Sequence, residues 1–214
     1  MKLNKQKSNY MVFNFSKNYQ FNTRLDLEGQ KLDQVHETKL LGLIIRDDLS
    51  WKSNTSDLTK RAFSRMLIIK NLIKFQVPLV DLVQIYTLYI RSVAEQSAVV
   101  WHPSITKGEQ NDLERTQKVA LKIILGESYT SYENALKLTG LETLKCRRTK
   151  LSLKFAKKCV KNDSTAWMFP QRTQKVNTRF PEKFNVTRAK TDRLAKSAIP
   201  YMQKLLNTHY GHKY

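Results

Sequence analysis

The spacing of apolar residues changes at Trp51, and this change constrains the fold more than any other feature of the sequence. Before Trp51 the apolar residues fall in short β-prone runs, such as Tyr10–Phe15. A partly alternating segment is interrupted at Glu28-Gly29, which favours a hairpin. Leu40–Ile45 is a further strand candidate, with a glycine inside it. After Trp51 the period becomes 3.6 residues, so we expect an α+β fold with a mainly α-helical body.

Apolar stripes and capping residues mark the helices of that body. The first stripe consists of Leu58, Ala62, Met66, Ile69 and Ile73. A second stripe follows Pro78, a residue suited to a first helical turn. Thr106 and Glu109 have the spacing of a capping box, and Gly126 is a natural helix end. The segment Leu144–Val160 predicts another long helix, whereas the pattern beyond residue 162 has no clear period.

These patterns divide the chain into three parts. Residues 1–52 form a small β-hairpin and strand piece, and residues 53–162 form the helical body. Residues 163–214 read as a basic, poorly regular C-terminal tail, punctuated by prolines, that orders on contact with a partner. The sequence contains no internal repeat and no low-complexity tract.

The charge of the chain indicates a polyanionic partner. Lys and Arg number 38 against 18 Asp and Glu, which gives a formal net charge of +20. Between Lys145 and Lys196 sixteen basic residues face three acidic ones. RNA, DNA or an RNA–DNA duplex fits this charge better than a membrane, because the basic tail has no clean amphipathic stripe and no segment is long and apolar enough to span a bilayer. A plain lysine-rich solvated surface is the alternative interpretation.

Residues that could carry chemistry are few. Cys146 and Cys159 lie on one expected helix and point apart, so we predict neither a disulfide nor a metal site. Two cysteines and the absence of a secretory signal favour an intracellular protein, cytoplasmic or nuclear. Asp47-Asp48 is better suited to a turn than to joint metal binding, because neighbours in a strand point to opposite faces. We therefore predict no catalytic residue and no cofactor in this chain.

The order of several short motifs resembles the C-terminal portion of non-LTR (LINE-type) retrotransposon reverse transcriptases. The motifs are Leu3–Ser8 before the apolar Met11–Phe13, Thr38–Gly42 before Asp47–Trp51, Ile90–Ser92 with Glu95, Val100–Pro103, Leu113–Lys118, Ser131–Leu136, Leu144 with Arg147-Arg148, and Thr187-Arg188 before Ser197–Pro200. Their collinear order covers most of the chain. Leu40 stands where the family often has an aromatic residue, and Ala94 where it usually has a leucine.

The resemblance implies a position after the catalytic centre. Residues 1–52 would be the end of the palm with a primer-grip-like hairpin, and residues 53–162 a thumb and connection. The family's Tyr/Phe-x-Asp-Asp motif is missing, so the Mg²⁺ ions that serve polymerisation are expected only in the complete family enzyme. This chain alone would then be an inactive fragment that still binds primer and template, next to the missing palm and fingers of the parent polymerase.

The resemblance also implies roles for individual residues. Lys7 would lie near the phosphates of the incoming nucleotide, and Leu41 and Gly42 would place backbone against the primer terminus. The remaining expected contacts are to nucleic-acid phosphates, from Lys60, Arg61, Arg65, Lys70, Lys74, Arg115, Lys118, Lys122, Arg147, Arg148 and Arg188. Such contacts position a nucleic acid and do not read its sequence.

Two other functions are consistent with the same residues. The chain could be a stand-alone basic RNA- or DNA-binding protein that uses these helices. It could also be an interaction protein, or a non-functional relic whose apolar faces once met the missing palm. The two predict different behaviour, namely salt-dependent binding of nucleic acid and exposed apolar surface.

Overall fold

A computed structural model describes residues 4, 8–16, 24–172 and 183–211. The chain divides into two units, Met1–Asp57 and Leu58–Tyr214. Each unit is described by itself below. The expected three-part division differs from this one at the C-terminus, because residues 163–211, where described, belong to the same unit as the helical body.

In its described residues, the first unit contains short strands that pair into three two-stranded sheets. The pairs are β1 (Asn9–Tyr10) with β4 (Asp33–Gln34), which is parallel, and two antiparallel hairpins, β2 (Asp26–Leu27) with β3 (Gln30–Lys31) and β5 (Glu37–Leu40) with β6 (Leu43–Arg46). The run after Tyr10 forms no further strand, so the prediction of a strand over Tyr10–Phe15 holds only at its first residue.

Both hairpins turn through two residues with positive φ. The first turn is Glu28-Gly29, where the sequence predicts it. The second is Leu41-Gly42, with φ of 49° and 82°. Positive φ at both central residues is the geometry that suits the right-handed twist of paired strands. The continuous strand expected over Leu40–Ile45 is therefore wrong: the glycine makes a turn, and the apolar residues on its two sides pair with each other.

Helices make up most of the described chain after Trp51. Their bounds are α1 (Lys52–Lys74), α2 (Leu79–Ile85), α3 (Arg91–Glu95), α4 (Ala98–Trp101), α5 (Lys107–Leu125), α6 (Tyr132–Thr139), α7 (Leu144–Val160), α8 (Asp163–Ala166), α9 (Asp192–Ala195) and α10 (Ala198–Gly211). A five-residue π-helix, Tyr86–Ile90, joins α2 to α3. The α+β fold with a mainly helical body is confirmed.

Local sequence signals account for several helix ends. The Thr106 hydroxyl accepts a hydrogen bond from the Glu109 N–H, and the Glu109 carboxylate accepts one from the Thr106 N–H, so the expected capping box is present. Ser131 caps α6, and Gly140 ends it in a left-handed conformation. Thr143 caps α7 through the Cys146 N–H.

Two hydrophobic clusters lie in the described part of the second unit. The first joins α1, α2 and α5 through residues such as Leu82 and Leu121. It includes Ala62, Met66 and Ile69 of the first expected stripe, whereas Ile73 at the end of that stripe is exposed. The second joins α7 to the C-terminal part of the chain, with Phe184 and Leu206 fully buried. The 14-residue α10 therefore gives the basic tail a regular, packed element that the sequence pattern does not indicate.

Candidate nucleic-acid interface

Helix α7 carries the densest positive charge among the described helices. Its 17 residues contain seven Lys and Arg and no Asp or Glu. Lys150, Lys154 and Lys158 are exposed at intervals of four residues, so they follow one line along the helix surface. Lys150 pairs with Glu142 at 2.5 Å, which leaves Lys154 and Lys158 without an ion pair among the residues described. None of these three lysines is among the phosphate contacts expected from the sequence, although their four-residue spacing is visible there.

Helix α5 presents the basic stripe that the sequence predicts. Arg115, Lys118 and Lys122 are all exposed, while the opposite face buries Leu113, Ala120 and Leu121. The Lys118 ammonium lies 5.0 Å from the centre of the Tyr132 ring, a cation–π distance. This contact holds one lysine of the stripe near the surface without removing its charge.

The cations of α1 divide into two groups. Lys60, Lys70 and Lys74 are exposed, as a phosphate contact requires. Arg61 and Arg65 are half-buried and bond within the protein: Arg61 Nη2 donates to Gln96 Oε1 at 2.9 Å, and Arg65 Nη1 donates to the Tyr89 carbonyl at 2.6 Å. The Arg65 guanidinium also stacks 4.4 Å from the Tyr89 ring centre. These two arginines tie α1 to the segment that follows α2.

Arg147 and Arg148 are neighbours in sequence with different environments. Arg147 is 36% exposed, and its Nε donates to Glu95 Oε1 at 3.0 Å. Arg148 is fully buried, so the expectation that it contacts a nucleic-acid backbone is wrong for this structure. Its Nε donates to His102 Nδ1 at 3.3 Å, and its guanidinium lies 5.6 Å from the Trp101 ring centre.

Burial changes the protonation chemistry around Arg148. Desolvation lowers the pKa of the Arg148 guanidinium, while the nearby carboxylates of Glu114 and Glu95 raise it. Desolvation, followed by the charges of Arg148 and Lys145, lowers the pKa of His102 to about 4. His102 is therefore neutral near pH 7 and accepts a hydrogen bond through Nδ1.

The other expected contact residues lie in separate parts of the chain. Lys7 lies outside the described residues. Leu41, at the tip of the second hairpin, is 92% exposed, and Gly42 beside it is half-exposed. Arg188 is exposed in the segment before α9. Since the hairpin and the helices belong to different units, each surface is a candidate by itself.

The described residues also bear on metal binding and on membrane insertion. Within the described ranges, no three His, Cys, Asp or Glu side chains group as metal ligands would. None of the helices described is both long and apolar enough to cross a membrane. Asp48 accepts hydrogen bonds from the Ser50 N–H and from Arg46, as its expected role in a turn requires. The exposed basic side chains of α1, α5 and α7 have the charge that phosphate binding requires.

No family model matches the chain, and neither a curated protein nor a solved structure shows significant similarity to it.

Proposed function

We propose that the chain binds RNA, DNA or an RNA–DNA duplex through its phosphates. The observation that carries this proposal is α7, in which seven basic residues occur without an acidic one and the lysines at 150, 154 and 158 line one exposed face. A line of lysines acts as a row of point charges, which suits a regularly charged backbone and not a particular base sequence. The exposed stripe on α5 supports the same partner.

We further propose that this binding serves a LINE-type reverse transcriptase of which the chain represents the region after the catalytic palm motif. The support is the collinear set of motifs given above, together with exposed lysines on α1, the helix expected to act as a thumb. In that role α1, α5 and α7 would hold primer and template while the metal-binding carboxylates are supplied elsewhere. A stand-alone nucleic-acid-binding protein would use the same surfaces.

The binding proposal is tested by the salt dependence of affinity. A labelled RNA–DNA duplex is titrated with the chain at increasing salt concentration, and the slope of log K against log salt is measured. Replacing Lys150, Lys154 and Lys158 together by Gln should reduce the magnitude of that slope by roughly 2 to 3, since each phosphate contact contributes about 0.7–0.9. Replacing the same three residues by Arg keeps the charge and is the matched control. A wild-type chain that does not bind at low salt would contradict the proposal.

The reverse-transcriptase assignment has a separate test. The chain alone should not extend a primer on an RNA template in the presence of Mg²⁺, because the carboxylates that bind the two metal ions are missing. Robust extension by the purified chain would contradict the fragment interpretation, even if binding were as expected. Salt-dependent binding without primer extension fits both the fragment and the stand-alone alternative. A coding sequence with no palm motif upstream would then favour the stand-alone protein.

A protein-interaction role has support from another observation. Among the described residues of the second unit, five large apolar side chains are each more than 60% exposed, namely Leu67, Phe75, Val80, Leu88 and Trp167. Where such side chains form one contiguous patch, the surface is typical of those that meet another protein. Sedimentation of the purified chain tests this role: concentration-dependent self-association would support it, and a monomer at every concentration would count against it.

A further inference from the structure

Three arginines from three helices converge on two adjacent residues, Glu95 and Gln96, at the end of α3. Arg61 of α1 reaches Gln96, as described above. Arg91 of α3 and Arg147 of α7 both contact the same Glu95 oxygen, Oε1, through their Nε atoms, at 3.5 and 3.0 Å. Glu95 is 13% exposed and accepts a hydrogen bond from Arg147 Nε. Arg91 Nε lies at ion-pair distance from it but makes no hydrogen bond among the residues described, so Glu95 holds Arg147 directly and Arg91 through charge.

The two guanidiniums that share Glu95 have donors left over. Each guanidinium has five N–H groups, and the contacts with Glu95 use only the Nε side. The Nη atoms of Arg91 and Arg147 make no hydrogen bond within the part of the chain that is described. The Arg91 side chain is 18% exposed and the Arg147 side chain 36% exposed, so both reach the solvent in part. Two forks of donors, held in place by one carboxylate, remain free to bind an external group.

The positive charge of the arginines around Glu95 is only partly compensated by nearby carboxylates. Arg148 lies close enough for Glu95 to influence its pKa, and its Nη1 and Nη2 are buried with no hydrogen-bond partner among the residues described. Glu114 and Glu95 are the two carboxylates that raise the pKa of Arg148, so the three guanidiniums of Arg91, Arg147 and Arg148 outnumber them. Glu114 also accepts hydrogen bonds from the N–H groups of Leu144 and Lys145 and from the Tyr132 hydroxyl. In a partly buried region such an excess attracts an anion more strongly than at a fully solvated surface.

We propose that Arg91 and Arg147, held by Glu95, form a phosphate-binding fork that grips one backbone phosphodiester of a nucleic acid. This inference rests on the proposed nucleic-acid binding and names a site for it. Planar guanidiniums match the two free oxygens of a phosphodiester in a bidentate manner, which an ammonium group does not do. Arg148 is fully buried, so it adds positive charge near the fork without touching the ligand. A purely structural ion pair would account for the Glu95 contacts but would leave the affinity for nucleic acid unchanged.

The test uses two substitutions for which the fork and simple charge attraction predict different affinities. Arg147→Lys keeps the net charge, and the fork predicts an affinity for a labelled RNA–DNA duplex about tenfold lower. Glu95→Gln makes the chain more positive, so simple charge attraction predicts tighter binding. The fork predicts weaker binding, because the two guanidiniums lose the group that fixes them.

Matched controls make the same chemical changes outside the cluster. Arg24→Lys and Glu127→Gln alter exposed residues, and the first should leave affinity unchanged while the second should leave it equal or slightly higher. Far-UV circular dichroism confirms that each variant is folded. If Glu95→Gln does not fold, Arg91→Lys takes its place and should lower affinity as Arg147→Lys does.

The outcomes separate the fork from the binding proposal. If the wild type binds and both cluster variants behave like their controls, the fork is wrong and the binding proposal stands. If the wild type does not bind at low salt, both are wrong. Weaker binding by both cluster variants, with unchanged controls, supports the fork.

Discussion

At the scale of single residues, the most unusual environment is that of Arg148 and His102. Because Arg148 Nε donates to His102 Nδ1, the imidazole proton lies on Nε2, which donates to Thr149 Oγ1 at 3.3 Å. Thr149 donates in turn to the Lys145 carbonyl, so the Tyr201 hydroxyl donates to Thr149. The chain of bonds joins α7 to α10 and requires a neutral histidine at its centre.

This requirement predicts that stability falls with falling pH. The pKa of His102 is about 4 in the folded protein and about 6.5 in an unfolded chain, so the unfolded state binds the proton first. The contribution of neutral His102 to stability should therefore be fully present above about pH 6.5. The free energy of unfolding should drop by about 2 kcal/mol between about pH 7 and pH 5. Urea unfolding at the two pH values measures the drop. In His102→Asn the drop should be smaller, and an equal drop in both proteins would contradict the prediction.

At the scale of elements, buried polar groups connect the helices where apolar packing alone would not fix their register. Gln117 of α5 is fully buried and accepts from the Tyr86 hydroxyl at 2.8 Å. Its amide nitrogen donates to the Tyr132 hydroxyl and to the Glu142 carbonyl. One side chain of α5 thus meets the π-helix, α6 and Glu142, two residues before α7. A fully satisfied buried network of this kind specifies one arrangement of its helices.

Removing Gln117 should leave a buried hydroxyl without its acceptor. Gln117→Leu should lower the free energy of unfolding by about 2 kcal/mol, because the Tyr86 hydroxyl, whose burial raises its pKa well above the ordinary value, cannot turn to water. Adding Tyr86→Phe removes that hydroxyl and should recover part of the loss. The double-mutant cycle is measured by urea unfolding of the four proteins. Strictly additive losses would show that the two side chains do not act as a pair.

At the scale of the whole molecule, the second unit extends to the end of the described chain. The cluster of α7 contains Phe184 from the basic segment and Leu206 from α10, both fully buried. Asn207 also accepts from the Phe184 N–H and donates to its carbonyl. The C-terminal residues therefore contribute to the same core as the helices before them, in a region that is rich in positive charge.

This packing predicts that damage in α10 destabilises the unit as a whole. Leu206→Ala should lower the free energy of unfolding by about 3 kcal/mol, through lost burial and a cavity. Amide hydrogen exchange should then become faster in α7 as well as in α10. Leu194→Ala, at a leucine of the same segment that is 43% exposed, is the control and should have little effect. Faster exchange confined to α10 would show that the C-terminal segment folds independently.

The sequence by itself determines the local elements of this protein. Repeating apolar stripes and side-chain caps act within a few residues, which is why the start of α5 and the bounds of α7 follow from the residues alone. Short strands were less predictable, since Leu41-Gly42 carries a turn signal inside an apolar run.

Tertiary structure decided which charges reach the solvent. Arg147 and Arg148 are identical in type and adjacent in sequence, yet one is 36% exposed and the other is buried beside Trp101. The two side chains leave α7 in directions about 100° apart. This difference decides their exposure because α4 and α10 pack against one side of that helix. The same packing gives α10 its buried face and brings Arg147 to Glu95, whereas Arg91 reaches Glu95 through the four-residue spacing within α3. Contacts between residues distant in sequence depend on the packing of several helices at once, so no local pattern encodes them.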